Sequence, residues 1–421
     1  MKITVNDTLL DLHNGARVRD AIAGFYKHEG RKVPERLPVA EDRYGNIVAP
    51  DGALTDGNAL FILSGRKKRT RLIRLLVVIL AAGLLFACSS TRHAATSPDM
   101  KKQGSTTVAA PAGTVAPDDR QAVIFSVNDM HAAIDNFPKL AWIVDSLRSV
   151  YPNLLLIAAG DNQTGNPIND QFPEKGLPMI DLMNAVGFNL SAVGNHEFDT
   201  GPEGFSNLIL KANFGFICAN VSGGGRHSLK ISPYKIFTLP NGLKVAFLGL
   251  LQLGQNGIPD SHPDNVRDFV FRSPCETALE YLWLKDSSDV FIALTHIGFE
   301  EDVKLAETMP AGIDLIIGGH SHTRVDREQI HNGILITQAE NKLKYGTLIR
   351  LTVNTDGRIT RSMQLIDIRN SKKEKPEIRS MVDRYNDNPV LNQVIATATD
   401  DFSSYEELGY LMADAQRAAA G

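Results

Sequence analysis

Cysteine is scarce in this 421-residue chain: Cys88, Cys218 and Cys275 are the only three. None stands in a Cys-x-x-Cys or Cys/His ribbon spacing, which excludes a structural zinc of that kind, and an odd count argues against a disulfide framework. Charge of one sign is lacking too. A net charge of −4 and a pI near 6.3 provide no basic field for a nucleic-acid polymer. Aromatic residues make up 7% of the chain, and Trp142 and Trp283 fall in helical apolar patterns that place them in a core rather than on a base-stacking platform. The long apolar run from Leu75 to Cys88 is short for a bilayer span, which takes about 20 residues. What remains, 43% apolar and 22% charged, is ordinary globular composition with room for two or three domains.

Residues 1–65 read as a small α+β unit. Met1-Lys2-Ile3-Thr4-Val5 alternates as a strand, Asn6-Asp7 turns, and Thr8–Leu12 returns as the second arm of a hairpin. A short helix starts at Val18, and Leu54–Leu63 leads through Asp56-Gly57 into a last strand. Residues 66–88 join a basic cluster, Arg66-Lys67-Lys68-Arg69, to the apolar run ending at Cys88. Basic residues on one flank alone predict a cytoplasmic N-terminus with the following chain outside. The run suits a signal or anchor segment, and residues 89–120, rich in Ser, Thr, Ala, Pro and Lys, suit a flexible tether.

Residues 121–370 alternate apolar strands with amphipathic helices, the pattern of a layered α/β domain. Helical spacing covers Phe137–Val150, Met179–Val186, Glu203–Ala212 and Glu276–Lys285. In residues 371–421 the positions Ile378, Met381, Val382 and Tyr385 predict a linker helix, followed by a segment that reads as the start of another domain.

The strand ends carry the chemistry. Val123–Val127 is followed by Asn128-Asp129-Met130-His131, and Leu154–Ala159 by Gly160-Asp161-Asn162. Leu190–Val193 runs into Gly194-Asn195-His196-Glu197-Phe198-Asp199. Val290–Leu294 ends in Thr295-His296, and Leu315–Gly318 in Gly319-His320-Ser321-His322. Each strand thus delivers His, Asp or Asn just beyond its last apolar residue, where open α/β sheets place their ligands. Imidazole and carboxylate donors converging on one edge point to a metal site, and that donor set favours Mn, Fe, Zn or Co over Mg or Ca.

In this order the motif blocks resemble the calcineurin-like metallophosphoesterases and, within them, the 5'-nucleotidases. The resemblance implies a layered β-sandwich flanked by helices and two divalent metal ions at the strand ends. It implies Asp129, His131 and His322 on one metal, Asn195, His296 and His320 on the other, and Asp161 bridging both. It also implies His196, oriented by Asp199, as the group that stabilises the transition state or protonates the leaving oxygen, and hydrolysis of nucleotides by a metal-activated water. The same centre supports phosphodiester or nucleotide-sugar pyrophosphate cleavage. The nucleotidases hold the nucleoside with a C-terminal domain whose opening segment alone is present here. A separate polypeptide supplying it, an inactive half-enzyme and a metal-binding scaffold are therefore the other readings.

Two further resemblances concern the N-terminal part. The order of elements in residues 1–65 is similar to the ubiquitin-like β-grasp of sulfur carriers, but Ser64-Gly65-Arg66 stands where those end in Gly-Gly. Leu85-Phe86-Ala87-Cys88 resembles a lipoprotein lipobox, with Phe86 a bulky departure. The lipobox resemblance, with the basic cluster before it, implies a membrane-anchored, extracytoplasmic protein of a bacterial envelope, tethered through the Leu75–Cys88 region.

Overall fold

The computed structural model describes residues 1–63, 119–223, 229–394, 397, 402 and 405–420. The basic cluster, the apolar run, the lipobox and residues 89–118 of the tether all lie outside the described residues. Among the described residues, no helix is long and apolar enough to cross a membrane.

Two six-stranded sheets form the main domain. The first runs in the order β18-β17-β6-β7-β8-β9, where β6 is Arg120–Val127, β7 Leu155–Ala158, β8 Leu190–Ala192, β9 Gly215–Ile217, β17 Tyr345–Val353 and β18 Ile359–Asp367. The second runs β10-β11-β12-β13-β16-β15, with β10 Tyr234–Thr238, β11 Lys244–Leu251, β12 Val290–His296, β13 Leu315–Ile317, β15 Gln329–His331 and β16 Ile334–Thr337. The strands β6 to β9 pair in parallel, as do β11, β12, β13 and β16, while the outer pairings are antiparallel.

The inner strands of both sheets are buried on both faces and largely apolar, and alternation sorts their side chains between cores. In β12, Val290, Ile292 and Leu294 face the core between the two sheets, while Phe291 and Ala293 face the outer core. In β6, Ile124 faces the inter-sheet core and Val123, Phe125 and Val127 face the opposite side. That side is covered by α2 (Phe137–Val150), α3 (Leu177–Val186) and α4 (Gly201–Lys211). The other outer face is covered by α5 (Phe299–Thr308) and by residues 274–285. The segment expected as one helix over Glu276–Lys285 divides into an α-turn at Pro274–Glu280 and a 3-10 turn at Leu282–Lys285. Trp283 in it is 44% exposed rather than in the core, whereas Trp142 is half-buried. The helix α6 (Pro376–Asn386) buries Ile378 and Val382 against α2 and α3, so the domain's core reaches past residue 370 and this helix is docked rather than a free linker. The last helix, α7 (Tyr405–Ala420), is exposed along its described positions.

Residues 1–63 build a second, smaller body: β1 (Lys2–Val5), β2 (Thr8–Asp11), α1 (Val18–His28), β3 (Ala40–Asp42), β4 (Ile47–Val48) and β5 (Ala59–Ile62) around a core that includes Ile3, Val5, Ile22 and Leu60. Strand β1 pairs antiparallel with β2 in a hairpin and parallel with β5. The short strands β3 and β4 were not legible in the sequence. Their sheet, β14-β4-β3-β5-β1-β2, is closed by β14 (Thr323–Arg324) of the main domain, with Thr323 opposite Val48. The two bodies are therefore joined through a shared sheet. A two-sided arrangement with residues 1–65 in the cytoplasm and the domain outside does not agree with this contact, since both partners of a sheet lie on one side of any membrane. The basic-flank rule reads local charge and carries no information on tertiary contact.

Candidate metal centre

Parallel strands send all their carboxyl ends to one edge, and the seven residues expected to hold metals meet there. Asp129 and His131 follow β6, Asp161 follows β7, Asn195 follows β8, His296 ends β12, and His320 and His322 follow β13. All seven are buried. Five of them, Asp129, His131, Asp161, His320 and His322, have positive φ between 45° and 77°. That left-handed backbone is uncommon outside glycine and costs strain, which the packed strand ends sustain.

Three overlapping donor sets result: Asp129–His131–His322, His131–Asp161–His196 and Asp161–His296–His320. Nε2 of His131 lies 3.0 Å from Nε2 of His322, which in turn lies 3.3 Å from Oδ1 of Asp129. Nε2 of His296 lies 3.1 Å from Oδ2 of Asp161, and Nδ1 of His320 lies 3.0 Å from Oδ1 of Asn195. His196 Nδ1 is 2.6 Å from Oδ2 of Asp199, and its backbone N–H donates to Oδ1 of Asp161. Gly194 makes the close approach feasible, because a Cβ there would come within 2.2 Å of Asp161 Oδ1.

Hydrogen bonds orient the donors. His131 Nδ1 bonds the Thr164 carbonyl at 3.0 Å and His296 Nδ1 the Ala159 carbonyl at 2.7 Å, leaving Nε2 of each turned inward. Asn128 donates to Asp129 Oδ2 and to the Glu340 carbonyl, bracing the first turn. Glu197 accepts from the backbone N–H groups of Asp161, Asn162 and Gly194, so it is committed to holding the turns together. Burial disfavours ionisation of Asp161 and Asp129, yet the surrounding histidines hold both carboxyls below the usual range. Burial, with His322 beside it, lowers His131 to about 4, so its imidazole is neutral as ligation requires. For His196 burial is outweighed by Asp161 and Asp199, which raise it to about 9.

The sequence of the calcineurin-like phosphoesterases matches residues 123–324. The chain carries a calcineurin-like metallophosphoesterase domain. It is similar to the trifunctional nucleotide phosphoesterase protein YfkN of Bacillus subtilis, 28% identical over 62% of this chain and 20% of that protein. It is 36% identical to the 5'-nucleotidase of Bos taurus over 44% of this chain and 32% of that one. Among solved structures, the 5'-nucleotidase precursor of Thermus thermophilus shares the fold with a TM-score of 0.59 at 24% identity, covering 66% of this chain and 61% of that chain. The chain spans a fifth to a half of the length of the first curated relatives it matches.

The donor set of the metallophosphoesterase domain fits two cations. Nε2 of His320 is buried without a hydrogen-bond partner among the described residues. The His131 and His322 nitrogens facing each other at 3.0 Å are two lone-pair donors on one point.

Residues of the N-terminal unit reach the same place, and the sequence did not point to them. Asp51 Oδ1 lies 3.2 Å from His322 Nδ1, and the Asn341 amide donates to both oxygens of Asp51 at 3.0 Å. Burial opposes charge on Asp51, but His322 and Lys342 keep its carboxyl well below the usual range. The neighbouring Gly52 is needed for the contact, since a Cβ would stand 2.3 Å from the Ser321 carbonyl. Ala49 N–H donates to the His322 carbonyl, and Arg43 pairs with Glu300 at 3.1 Å. Asp51-Gly52 has the composition of an ordinary surface turn, so nothing in the sequence marks it as part of a metal site. Asp260 was missed in the same way; its carbonyl accepts from the Asn195 amide.

Proposed function

We propose that this protein is a dimetal phosphoric ester hydrolase acting on nucleotides, in the manner of a 5'-nucleotidase. One observation carries the reading: three donor sets overlap, through His131 and Asp161, and His196, a member of one of them, is paired with Asp199. Asp129, His131 and His322 would hold one divalent cation and Asn195, His296 and His320 the other, with Asp161 common to both. When bound, the two ions acidify a water and neutralise charge on the phosphoryl oxygens. His196, held by Asp199 through Nδ1, presents its other nitrogen to the ester oxygens, where it stabilises developing charge or delivers a proton to the leaving alkoxide. The names of the relatives, a nucleotide phosphoesterase and a 5'-nucleotidase, support nucleotides as the substrate class.

We further propose an extracytoplasmic location, the N-terminal unit and the domain lying on the same side, in keeping with their shared sheet. The test is hydrolysis by the full chain loaded with Mn²⁺ or Zn²⁺, assaying AMP, UDP-glucose, 2',3'-cyclic AMP and an aryl phosphate side by side, with Asp161→Asn as the blank. Turnover of AMP that vanishes in the blank supports the reading. Preference for the cyclic or pyrophosphate substrate moves it to a diesterase, and no turnover of any ester overturns it.

A further inference from the structure

An ester whose phosphoryl group sits at the metal donors places its alcohol portion on the adjoining surface. Against the centre lies a cleft of about 330 Å³ between the two bodies. Asn14, Gly15 and Thr55 of the N-terminal unit form one wall, and Gln252, Asp260 and Ile297 of the main domain the other. Three contacts join that second wall to the donors. Asp260 Oδ2 is 3.9 Å from Nε2 of His320, and the Asp260 carbonyl accepts from the Asn195 amide at 2.9 Å. The Gln252 N–H donates to the His296 carbonyl, also at 2.9 Å. The cleft therefore begins where the donors Asn195, His296 and His320 end.

Gln252 is 3% exposed, and its Oε1 accepts from the Asp260 N–H at 3.2 Å. Among the described residues its Nε2 makes no hydrogen bond, although Gln252 lines the cleft. A buried amide with its N–H donors unused costs stability until a ligand takes them up. The carboxylates on the cleft are Asp56, Asp260 and Glu301, the last paired with Lys304 at 2.5 Å. No Lys, Arg or His among the described residues lines it, and the Met1 amino group, which does, donates to the Leu12 carbonyl at 2.6 Å. Such a cleft repels a second phosphate and accepts hydrogen bonds from hydroxyl groups. Its volume falls at the lower end of the roughly 300–1,000 Å³ of small-molecule sites, which suits a single small molecule rather than a polymer.

An amide donor seeks a ring nitrogen or carbonyl, and carboxylates seek hydroxyl groups; a nucleoside offers both. We propose that the inter-body cleft binds the uncharged leaving group of the ester, a nucleoside, with the Gln252 amide donating to it and Asn14 and Thr55 of the N-terminal unit closing its other side. The site then favours a nucleoside monophosphate over esters that carry a further phosphate. The proposal rests on the hydrolase reading for the identity of the ligand, and it makes the N-terminal unit one wall of a specificity pocket.

The test is equilibrium dialysis of the Mn²⁺-loaded full chain against labelled adenosine, which carries no phosphate and needs no turnover. Saturable binding is expected. Gln252→Glu keeps the acceptor for the Asp260 N–H and removes the amide donor, and should weaken binding about 3- to 10-fold. Thr55→Arg and Asn14→Arg fill the cleft from the N-terminal wall and should weaken it about 10-fold or more. Asn14 is exposed, so its replacement leaves the fold intact and decides the matter should another variant lose metal. In each variant the KM for AMP should rise in parallel, with kcat held. No adenosine binding by the wild type, or undiminished affinity in metal-replete Gln252→Glu or in Asn14→Arg, overturns the proposal. If AMP is hydrolysed with KM and adenosine affinity unchanged in every variant, the cleft assignment falls and the hydrolase reading stands. If adenosine binds through these residues yet no ester is hydrolysed, the hydrolase reading falls and the nucleoside site stands.

Discussion

The carboxylate of Asp51 lies 3.2 Å from Nδ1 of His322, across 271 residues of sequence and between two separately folded bodies. A carboxylate on the outer nitrogen of a ligating histidine fixes the ring and raises the basicity of the inner nitrogen. Here that partner comes from the N-terminal unit, so the unit and the metal centre are linked by a bond a substitution can cut.

Asp51→Asn and Asp51→Ala are therefore expected to weaken binding of one of the two metals by about 10- to 100-fold. Competition against a fluorescent chelator measures this, and Asp51→Glu should recover part of the loss. Unchanged affinity in both variants would mean that Asn341 alone orients His322.

His196→Ala removes the group proposed to act on the ester oxygens and none of the seven proposed metal donors. Hydrolysis should fall by about 10²- to 10⁴-fold with both metals retained. Asp199→Asn should act in the same direction and less strongly, since His196 loses its 2.6 Å partner rather than its ring. Steady-state kinetics with parallel metal analysis separates this from a damaged centre.

Gly52→Ala tests the docking itself. A Cβ within 2.3 Å of the Ser321 carbonyl forces the loop away from β14. The expected loss is about 1–3 kcal/mol of stability, as for other overpacked sites. Limited proteolysis should then release residues 1–63 faster than in the wild type, and an unchanged rate would show that the loop yields without undocking.

Cys218 is buried in the first sheet's helical face, and burial raises its thiol from 9.0 to about 12. Iodoacetamide at pH 8 should leave Cys218 unmodified in the native chain and label it in urea, as mass spectrometry of the peptides would show. Because the folded pKa is the higher one, the stability tied to the neutral thiol is complete below pH 9 and is lost as pH rises towards 12. Cys218→Ala should flatten that part of the stability–pH curve.

Much of the main domain was legible because its strands are buried on both faces and end in glycine or polar turns. Runs such as Leu154–Ala159 and Val290–Leu294 announce themselves without alternation, and the residues after them carry donors that no turn needs. The single helix expected over residues 276–285 was not found, since periodicity records which residues face inward and not where the hydrogen-bond ladder changes pitch. Trp283 shows the same limit: its spacing is helical, but no element packs over it fully.

By itself the sequence determined the layered α/β domain and the placing of seven candidate donors and of His196 and Asp199 at its strand ends, because each depends on residues adjacent along the chain. Tertiary structure alone decided the left-handed backbone at Asp129, Asp161 and His320, and the meeting of His131 with His322 at 3.0 Å. It also decided that residues 1–63 reach the metal centre through Asp51. Those contacts join positions hundreds of residues apart, and no local pattern encodes a distance of that kind.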